Sequence, residues 1–172
     1  FIPLDDIIAL ASWCQSQNIR LIVDESFVDF SKGYENNTLL HDNILEAYPQ
    51  MVVMKSISKS YGVPGIRLGI LCSADTTLIN TLKKKVSIWN INSFAEYFMQ
   101  IFTKYEKDYK RACDKFIEER EDFEQKLNEI SLLRVMPSQA NYFLCEILAP
   151  WNANRLVLTM LKKYNILLRD CS

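Results

Sequence analysis

Residues 56–69 hold a lysine between hydroxyl-bearing residues and a glycine-rich turn. Lys59 follows Ser56 and Ser58, and Arg67 stands eight positions after it. A deprotonated lysine amine is a nucleophile that forms a Schiff base with an aldehyde. Serine hydroxyls and a guanidinium are well suited to hold a phosphate dianion. The spacing therefore predicts a lysine that binds an aldehyde covalently, next to side chains that bind a phosphate.

A second segment, residues 21–27, supplies a carboxylate. Its apolar residues predict a strand buried on both faces, and Asp24 falls at the carboxyl end of that strand. Ligands of open α/β sheets bind at those ends. A carboxylate there can keep a heterocyclic nitrogen protonated, so that the ring accepts electrons from a substrate carbanion. We therefore predict that Asp24 acts in the same site as Lys59.

The run Leu-Ile-Val-Asp-Glu also has the form of a Walker B strand. An NTPase fragment is therefore an alternative hypothesis. It depends on segments outside this chain, since residues 1–172 contain no Gly-x-x-x-x-Gly-Lys-Ser/Thr loop.

Together the two segments resemble the fold-type I pyridoxal-phosphate-dependent aminotransferases of class I and II. They are most similar to the branch of histidinol-phosphate aminotransferases and threonine-phosphate decarboxylases. The resemblance runs along the whole chain and implies pyridoxal 5'-phosphate as cofactor, joined to Lys59. The cofactor-binding residues it implies are Asp24, Phe27, Ser56, Ser58, Lys59 and Arg67.

Two further residues match family positions that contact substrate, namely Arg169 and Asn141. Phe27 departs from many aminotransferases, which carry a tyrosine three residues after the aspartate. The pattern Asp-Glu-Ser-Phe-x-Asp-Phe is closer to that of the threonine-phosphate decarboxylases. We therefore expect amino-group transfer to or from a small, possibly phosphorylated, amino acid or amine, with decarboxylation as the alternative.

The resemblance also implies an α/β fold. Residues 1–110 would be part of a large cofactor-binding domain with a doubly wound, mostly parallel sheet. Residues 111–172 would begin a smaller α+β domain, joined to the first by a long helix. The chain would be the C-terminal half of a homodimeric enzyme, so a non-catalytic fragment that lacks part of the site is a further hypothesis.

The composition and charge of the chain limit the classes of partner that we expect. Twenty basic and 21 acidic residues leave a net charge of −1, which does not favour nucleic acid or an anionic membrane as partner. No apolar run approaches the roughly 20 residues of a membrane span. The five cysteines are scattered without metal-ligand spacing. We expect a cytoplasmic protein with reduced thiols and no metal site.

Hydrophobic periodicity predicts the elements that position these residues. Helices are expected at 4–17, 44–48 and 154–163, with another that Asp75 caps and that runs through residue 84. A long helical pattern continues from about residue 93 to 130. Residues 25–43 are expected to form a polar loop. The expected strands are 20–24, 51–54, 67–72, 132–136, 142–147 and 166–169.

Overall fold

A computed structural model describes all residues from 1 to 172. The chain divides into two compact units, residues 1–117 and 118–172. In chain order the helices are α1 (Leu4–Ser16), α2 (Tyr34–Asn37), α3 (Asp42–Ala47), α4 (Ile57–Ser60), α5 (Thr76–Lys85), α6 (Ser93–Phe102), α7 (Glu106–Asn128) and α8 (Ala153–Tyr164). The strands are β1 (Leu21–Asp24), β2 (Met51–Ser56), β3 (Gly69–Cys72), β4 (Leu133–Val135) and β5 (Cys145–Ile147).

The first unit is built on a three-stranded sheet with the order β1-β2-β3. Strands β1 and β2 are parallel, with Asp24 opposite Met54, and β3 pairs antiparallel with β2. The α/β fold class is confirmed, and within this chain the sheet is mixed. Because β1 and β2 are parallel, their carboxyl ends meet at one edge. Asp24 at the end of β1 and Lys59 shortly after β2 therefore lie at the same edge of the sheet.

The core of this unit lies between α1 and the sheet. Leu39, Met51 and Val53 are almost completely buried, and Ala11 of α1 packs with them. Burial of these side chains is the main favourable term that holds helix and sheet together. Only Met54 in the middle of β2 is exposed, so β2 is the buried central strand that the apolar run predicted.

Capping residues set several helix ends. The carboxylate of Asp75 accepts a hydrogen bond from the backbone N–H of Leu78 (2.9 Å), so the predicted N-cap of α5 is confirmed. Asn92 and Asn152 cap α6 and α8 in the same way. No helix is both long enough and apolar enough to cross a membrane.

The second unit contains a two-stranded antiparallel sheet and α8. Leu133 of β4 is paired with Ile147 of β5. Phe123 of α7 packs edge-on against Phe143, with 5.8 Å between the ring centroids. The guanidinium of Arg155 lies 4.3 Å from the ring centroid of Trp151, at the start of α8.

Four expectations about the elements were wrong. Strand β1 is not buried on both faces, because Leu21 and Val23 pack against the core whereas Ile22 on the opposite face is exposed. The predicted strand 166–169 does not form, because no neighbouring strand offers it ladder hydrogen bonds. The chain leaves α8 at its C-cap Asn165, which has φ 57°. The helical pattern 93–130 is two helices, since residues 103–105 form a turn between α6 and α7. The polar loop 25–43 includes a 3₁₀ turn, Val28–Phe30, and the short helix α2.

Candidate active site

The parallel pair β1-β2 brings the two sequence segments together. β1 ends at Asp24, and β2 runs directly into α4, which carries Lys59. The backbone N–H of Glu25 donates to the carbonyl of Met54 (2.7 Å), which extends the strand pairing past Asp24. After Lys59 the chain turns at Gly62, whose φ of 66° is a conformation that glycine adopts without a Cβ clash. The sheet edge therefore presents both segments as adjacent loops.

The side chains of Lys59, Phe27 and Asp24 face the same exposed region. The Nζ atom of Lys59 lies 4.1 Å from the ring centroid of Phe27, within the range of a cation–π interaction. Lys59 is also close enough to Asp24 for its positive charge to help lower the pKa of that carboxyl. Lys59 and Asp24 are both exposed. An amine and a carboxylate thus stand over one open surface, with an aromatic ring beneath the amine.

Ser26 holds the carboxylate of Asp24. Its hydroxyl and its backbone N–H both donate to Oδ1 of Asp24. The hydroxyl oxygen of Ser26 in turn accepts a hydrogen bond from the backbone N–H of Ser56 (2.9 Å). The hydroxyl bond from Ser26 is the main cause that lowers the pKa of Asp24, and its backbone bond and Lys59 add to the effect. Ser26 therefore favours the ionised form of Asp24 and ties it to the segment that carries Lys59.

Replacing Ser26 with alanine is expected to raise the pKa of Asp24. The variant loses the hydroxyl donor but keeps the backbone N–H, so the pKa should move towards its ordinary value without reaching it. Because the change is upward, the two proteins should differ in charge only at acidic pH and not at pH 7. NMR titration of the Asp24 carboxyl carbon measures this shift. An unchanged titration in Ser26→Ala would contradict the role assigned to the hydroxyl.

The residues expected to hold a phosphate lie at the two ends of the connection between β2 and β3. The backbone N–H of Ile57 donates to the carbonyl of Leu68 (3.0 Å), which brings Arg67 beside the backbone of residues 56–58. Arg67 is exposed and has φ 52°, a left-handed conformation that costs a non-glycine residue on the order of 1 kcal/mol. Ser56 is half-buried and Ser58 is buried. Of the three residues expected to bind the phosphate, Ser56 and Arg67 are thus more accessible than Ser58.

Gly69 allows this connection to pack closely. A Cβ atom at this position would lie 3.3 Å from the carbonyl oxygen of Lys55. That distance is tighter than an ordinary van der Waals contact, so a larger residue would push β3 away from β2 just after Arg67. Asn92 adds a second tie, because its Nδ2 donates to the carbonyl of Ile66 (2.8 Å).

Asn141 and Arg169 belong to the second unit. Both are exposed, and Arg169 lies in the irregular segment that follows α8. Their contact with a substrate stays a prediction. The six residues expected to bind the cofactor, by contrast, all lie in the first unit: Asp24, Phe27, Ser56, Ser58, Lys59 and Arg67.

Sequence reasoning missed three residues that shape this site. Ser26 falls in the expected polar loop, but it stands two positions after Asp24, where its backbone N–H can close an Asx turn with the Asp24 carboxylate. Asp29 and Lys55 were also missed; they form a buried ion pair with Nζ and Oδ1 2.6 Å apart. The available signal was one charged residue next to apolar ones in each case, Asp29 between Val28 and Phe30 and Lys55 after Met54, because a buried charge requires a partner.

The donor set fits pyridoxal phosphate. An accessible primary amine can bind an aldehyde, and an ionised carboxylate can pair with a protonated ring nitrogen. The guanidinium of Arg67 and the hydroxyl of Ser56 suit a phosphate dianion. The structure contains no group of three or more His, Cys, Asp or Glu residues arranged to hold a metal ion.

Comparisons with known proteins agree with this chemistry. The sequence model of the family Aminotransferase class I and II matches residues 1–172. The chain is 33% identical over 153 residues to the L-serine phosphate decarboxylase of Sulfurospirillum multivorans, which covers 87% of this chain and 39% of that protein. A solved decarboxylase from the same organism superposes with a TM-score of 0.86 at 29% identity, over 100% of this chain and 44% of that one.

Aminotransferases share the same fold. The histidinol-phosphate aminotransferase of Clostridium acetobutylicum superposes with a TM-score of 0.85 at 25% identity, over 99% of this chain and 50% of that chain. The enzyme of that name from Sinorhizobium meliloti, solved with pyridoxal-5'-phosphate, superposes at 0.78 with 18% identity, over 98% of this chain and 45% of its own. The family match indicates pyridoxal phosphate as the cofactor. The chain spans half or less of the length of these relatives.

Proposed function

The chain belongs to the class I and II aminotransferase family, and on that premise we propose that it carries the lysine half of a pyridoxal-phosphate site. The substrate would be a small amino acid or amine that itself carries a phosphate. The observation that carries the proposal is the placement of Lys59 and Asp24 over one exposed surface, with Phe27 beneath the amine. Pyridoxal phosphate, when bound, supplies an aldehyde and an electron-withdrawing ring.

Each residue has a defined task in this proposal. Lys59 binds the aldehyde and, once released, carries a proton to or from the substrate α-carbon. The only histidine, His41, is the N-cap of α3 and belongs to neither segment of the site. Asp24 keeps the ring nitrogen protonated. Ser56, Ser58 and Arg67 bind the phosphate of the cofactor. Asn141 and Arg169 are the candidates for contact with the substrate, Arg169 with its anionic group.

Two reactions fit this set of residues. Amino-group transfer and loss of carbon dioxide both need the lysine, the aspartate and the phosphate-binding side chains, and they differ in which bond of the α-carbon breaks. The sequence pattern predicted transfer first. Two observations favour decarboxylation: Phe27 offers no hydroxyl at the position where many aminotransferases carry tyrosine, and the relative at 33% identity is a serine-phosphate decarboxylase. We therefore place decarboxylation of a phosphorylated amino acid ahead of transfer.

The two reactions are separated by their products. The full natural protein is incubated with pyridoxal phosphate and O-phospho-L-serine labelled at its carboxyl carbon, with 2-oxoglutarate present. Decarboxylation releases labelled carbon dioxide and leaves phosphoethanolamine. Transfer retains the label and produces glutamate. O-phospho-L-threonine is tested in the same way. Histidinol phosphate has no carboxyl group, so with this compound only the formation of glutamate is measured. Release of carbon dioxide without glutamate supports the preferred reaction, and the reverse result supports transfer.

The homodimer and the cytoplasmic location that the resemblance implies are part of the same proposal. A non-catalytic role for the 172 residues alone is the second candidate, and it is supported by the share of the relatives that this chain spans. The same assay on the isolated chain tests this second candidate. Turnover by the full protein but not by the isolated chain would support it.

A further inference from the structure

Beneath the exposed pair of Asp24 and Lys59 lies a second, buried set of polar contacts. The carboxylate of Asp29 is almost fully buried, and each of its oxygens has a partner. Oδ1 pairs with Nζ of Lys55 at 2.6 Å, and Oδ2 accepts a hydrogen bond from the hydroxyl of Ser60 at 2.7 Å. The side chains of Asp29 and Lys55 are each only 8% exposed. One carboxylate thus holds two residues of the segment that carries Lys59.

The two partners of Asp29 stand on either side of Lys59 in the chain. Lys55 is in β2, four residues before Lys59, and Ser60 is the residue that directly follows it in α4. Asp29 itself lies in the 3₁₀ turn just after Phe27, the ring that Lys59 covers. Two sets of contacts therefore join the loop that bears Asp24 and Phe27 to the segment that bears Lys59. The buried set is formed by Asp29, and the more exposed one is the contact of Lys59 with Phe27.

Two stacked tyrosines lie next to the buried contacts of Asp29. The rings of Tyr61 and Tyr109 lie 4.2 Å apart between centroids and are nearly parallel, at 11°. Burial, together with the charge of Asp29, raises the pKa of Tyr61 to about 12 and raises that of Tyr109 as well. Both phenols stay protonated at neutral pH and add no charge that would compete with Asp29 for Lys55. The stack fixes the residue that follows Ser60 against α7.

A buried ion pair is a poor device for stability alone. Removing two charges from water costs about as much as their attraction returns, and an apolar pair of similar volume often stabilises a fold equally well. What the ion pair adds is a fixed relative position of its two segments. Here those segments carry the acid and the amine of the proposed site, so the fixed position has a chemical use.

We propose that Asp29 is a positioning residue that sets the amine of Lys59 against Asp24 through its bonds to Lys55 and Ser60. The inference rests on the proposed function, because it concerns how readily Lys59 reaches the aldehyde of the cofactor. Neither Asp29, Lys55 nor Ser60 touches the cofactor in this proposal. Their removal should slow attachment of the cofactor to Lys59 more than it lowers the stability of the fold.

The test measures how fast the absorbance of the protonated imine appears after pyridoxal phosphate is added to the full natural protein, and the melting temperature of each variant. Ser60→Ala removes one bond to the Asp29 carboxylate and should slow attachment about tenfold. Ser60→Thr keeps the hydroxyl and should restore the rate. Ser31→Ala is the matched control, since the hydroxyl of this buried serine bonds to Val28 and Asn37.

A double variant, Asp29→Leu with Lys55→Met, removes the ion pair without leaving a lone buried charge. It should fold with a melting temperature close to that of the wild type and attach the cofactor more slowly than Ser60→Ala. If it does not fold, Ser60→Ala against Ser31→Ala decides the question. Wild-type attachment rates in Ser60→Ala, or in a folded double variant, would overturn the inference. If the wild-type protein forms no imine, the proposed function fails instead.

Discussion

Lys59→Ala is expected to abolish covalent attachment of pyridoxal phosphate and to slow turnover by roughly 10²–10⁴-fold, the contribution typical of a positioned acid–base group. The reason lies in the geometry of the first unit. Lys59 is the lysine whose amine lies over Phe27 and whose charge reaches Asp24, whereas Lys55 is buried against Asp29. No neighbouring amine is therefore free to take its place.

The measurement combines absorbance of the imine with product formation. Lys84→Ala is the control, because Lys84 is an exposed lysine in the last turn of α5. Addition of methylamine to Lys59→Ala should restore part of the lost rate, since a free amine can then carry the proton. A Lys59→Ala protein that retains the imine band would remove Lys59 from the site.

Asp24→Asn is expected to leave the covalent attachment in place and to slow turnover by roughly 10²–10³-fold, as for loss of one preorganised electrostatic contact. Asparagine has nearly the same shape, and its amide oxygen can still accept the two bonds from Ser26. It carries no charge, so it cannot hold a proton on the ring nitrogen. The loss should therefore fall on the chemical step and not on binding.

This separation of effects distinguishes Asp24 from Lys59. The absorbance of the imine should be near normal in Asp24→Asn and absent in Lys59→Ala, while both variants turn over slowly. Asp6→Asn, an exposed aspartate in the first turn of α1, is the matched control. Turnover by Asp24→Asn at the wild-type rate would show that the carboxylate has no electrostatic part in the reaction.

Much of the frame around the site could be predicted from local patterns. Strands β1 and β2 are short apolar runs, of which β2 is the buried one, and Asp75 caps the start of α5. Residues such as Lys59 and Arg67 stand out because their types and spacing serve a known chemistry. These signals are contained in a few neighbouring residues, so a single sequence is enough to find them.

The features that escaped prediction depend on partners distant in the chain. The bond from Ser60 to Asp29 joins residues 31 positions apart, and the pair of Lys55 and Asp29 spans 26. The run 166–169 has the apolar character of a strand but finds no partner strand in the second unit. A local pattern indicates what a segment can form, and the tertiary environment decides whether it does.

One measurement tests the central claim most directly. The full protein is incubated with pyridoxal phosphate, reduced with borohydride and digested with trypsin. A single phosphopyridoxyl group is expected on the peptide 56–67, because trypsin does not cleave after a modified Lys59. An active protein that carries the phosphopyridoxyl group on another lysine, or on no lysine, would contradict the assignment of Lys59.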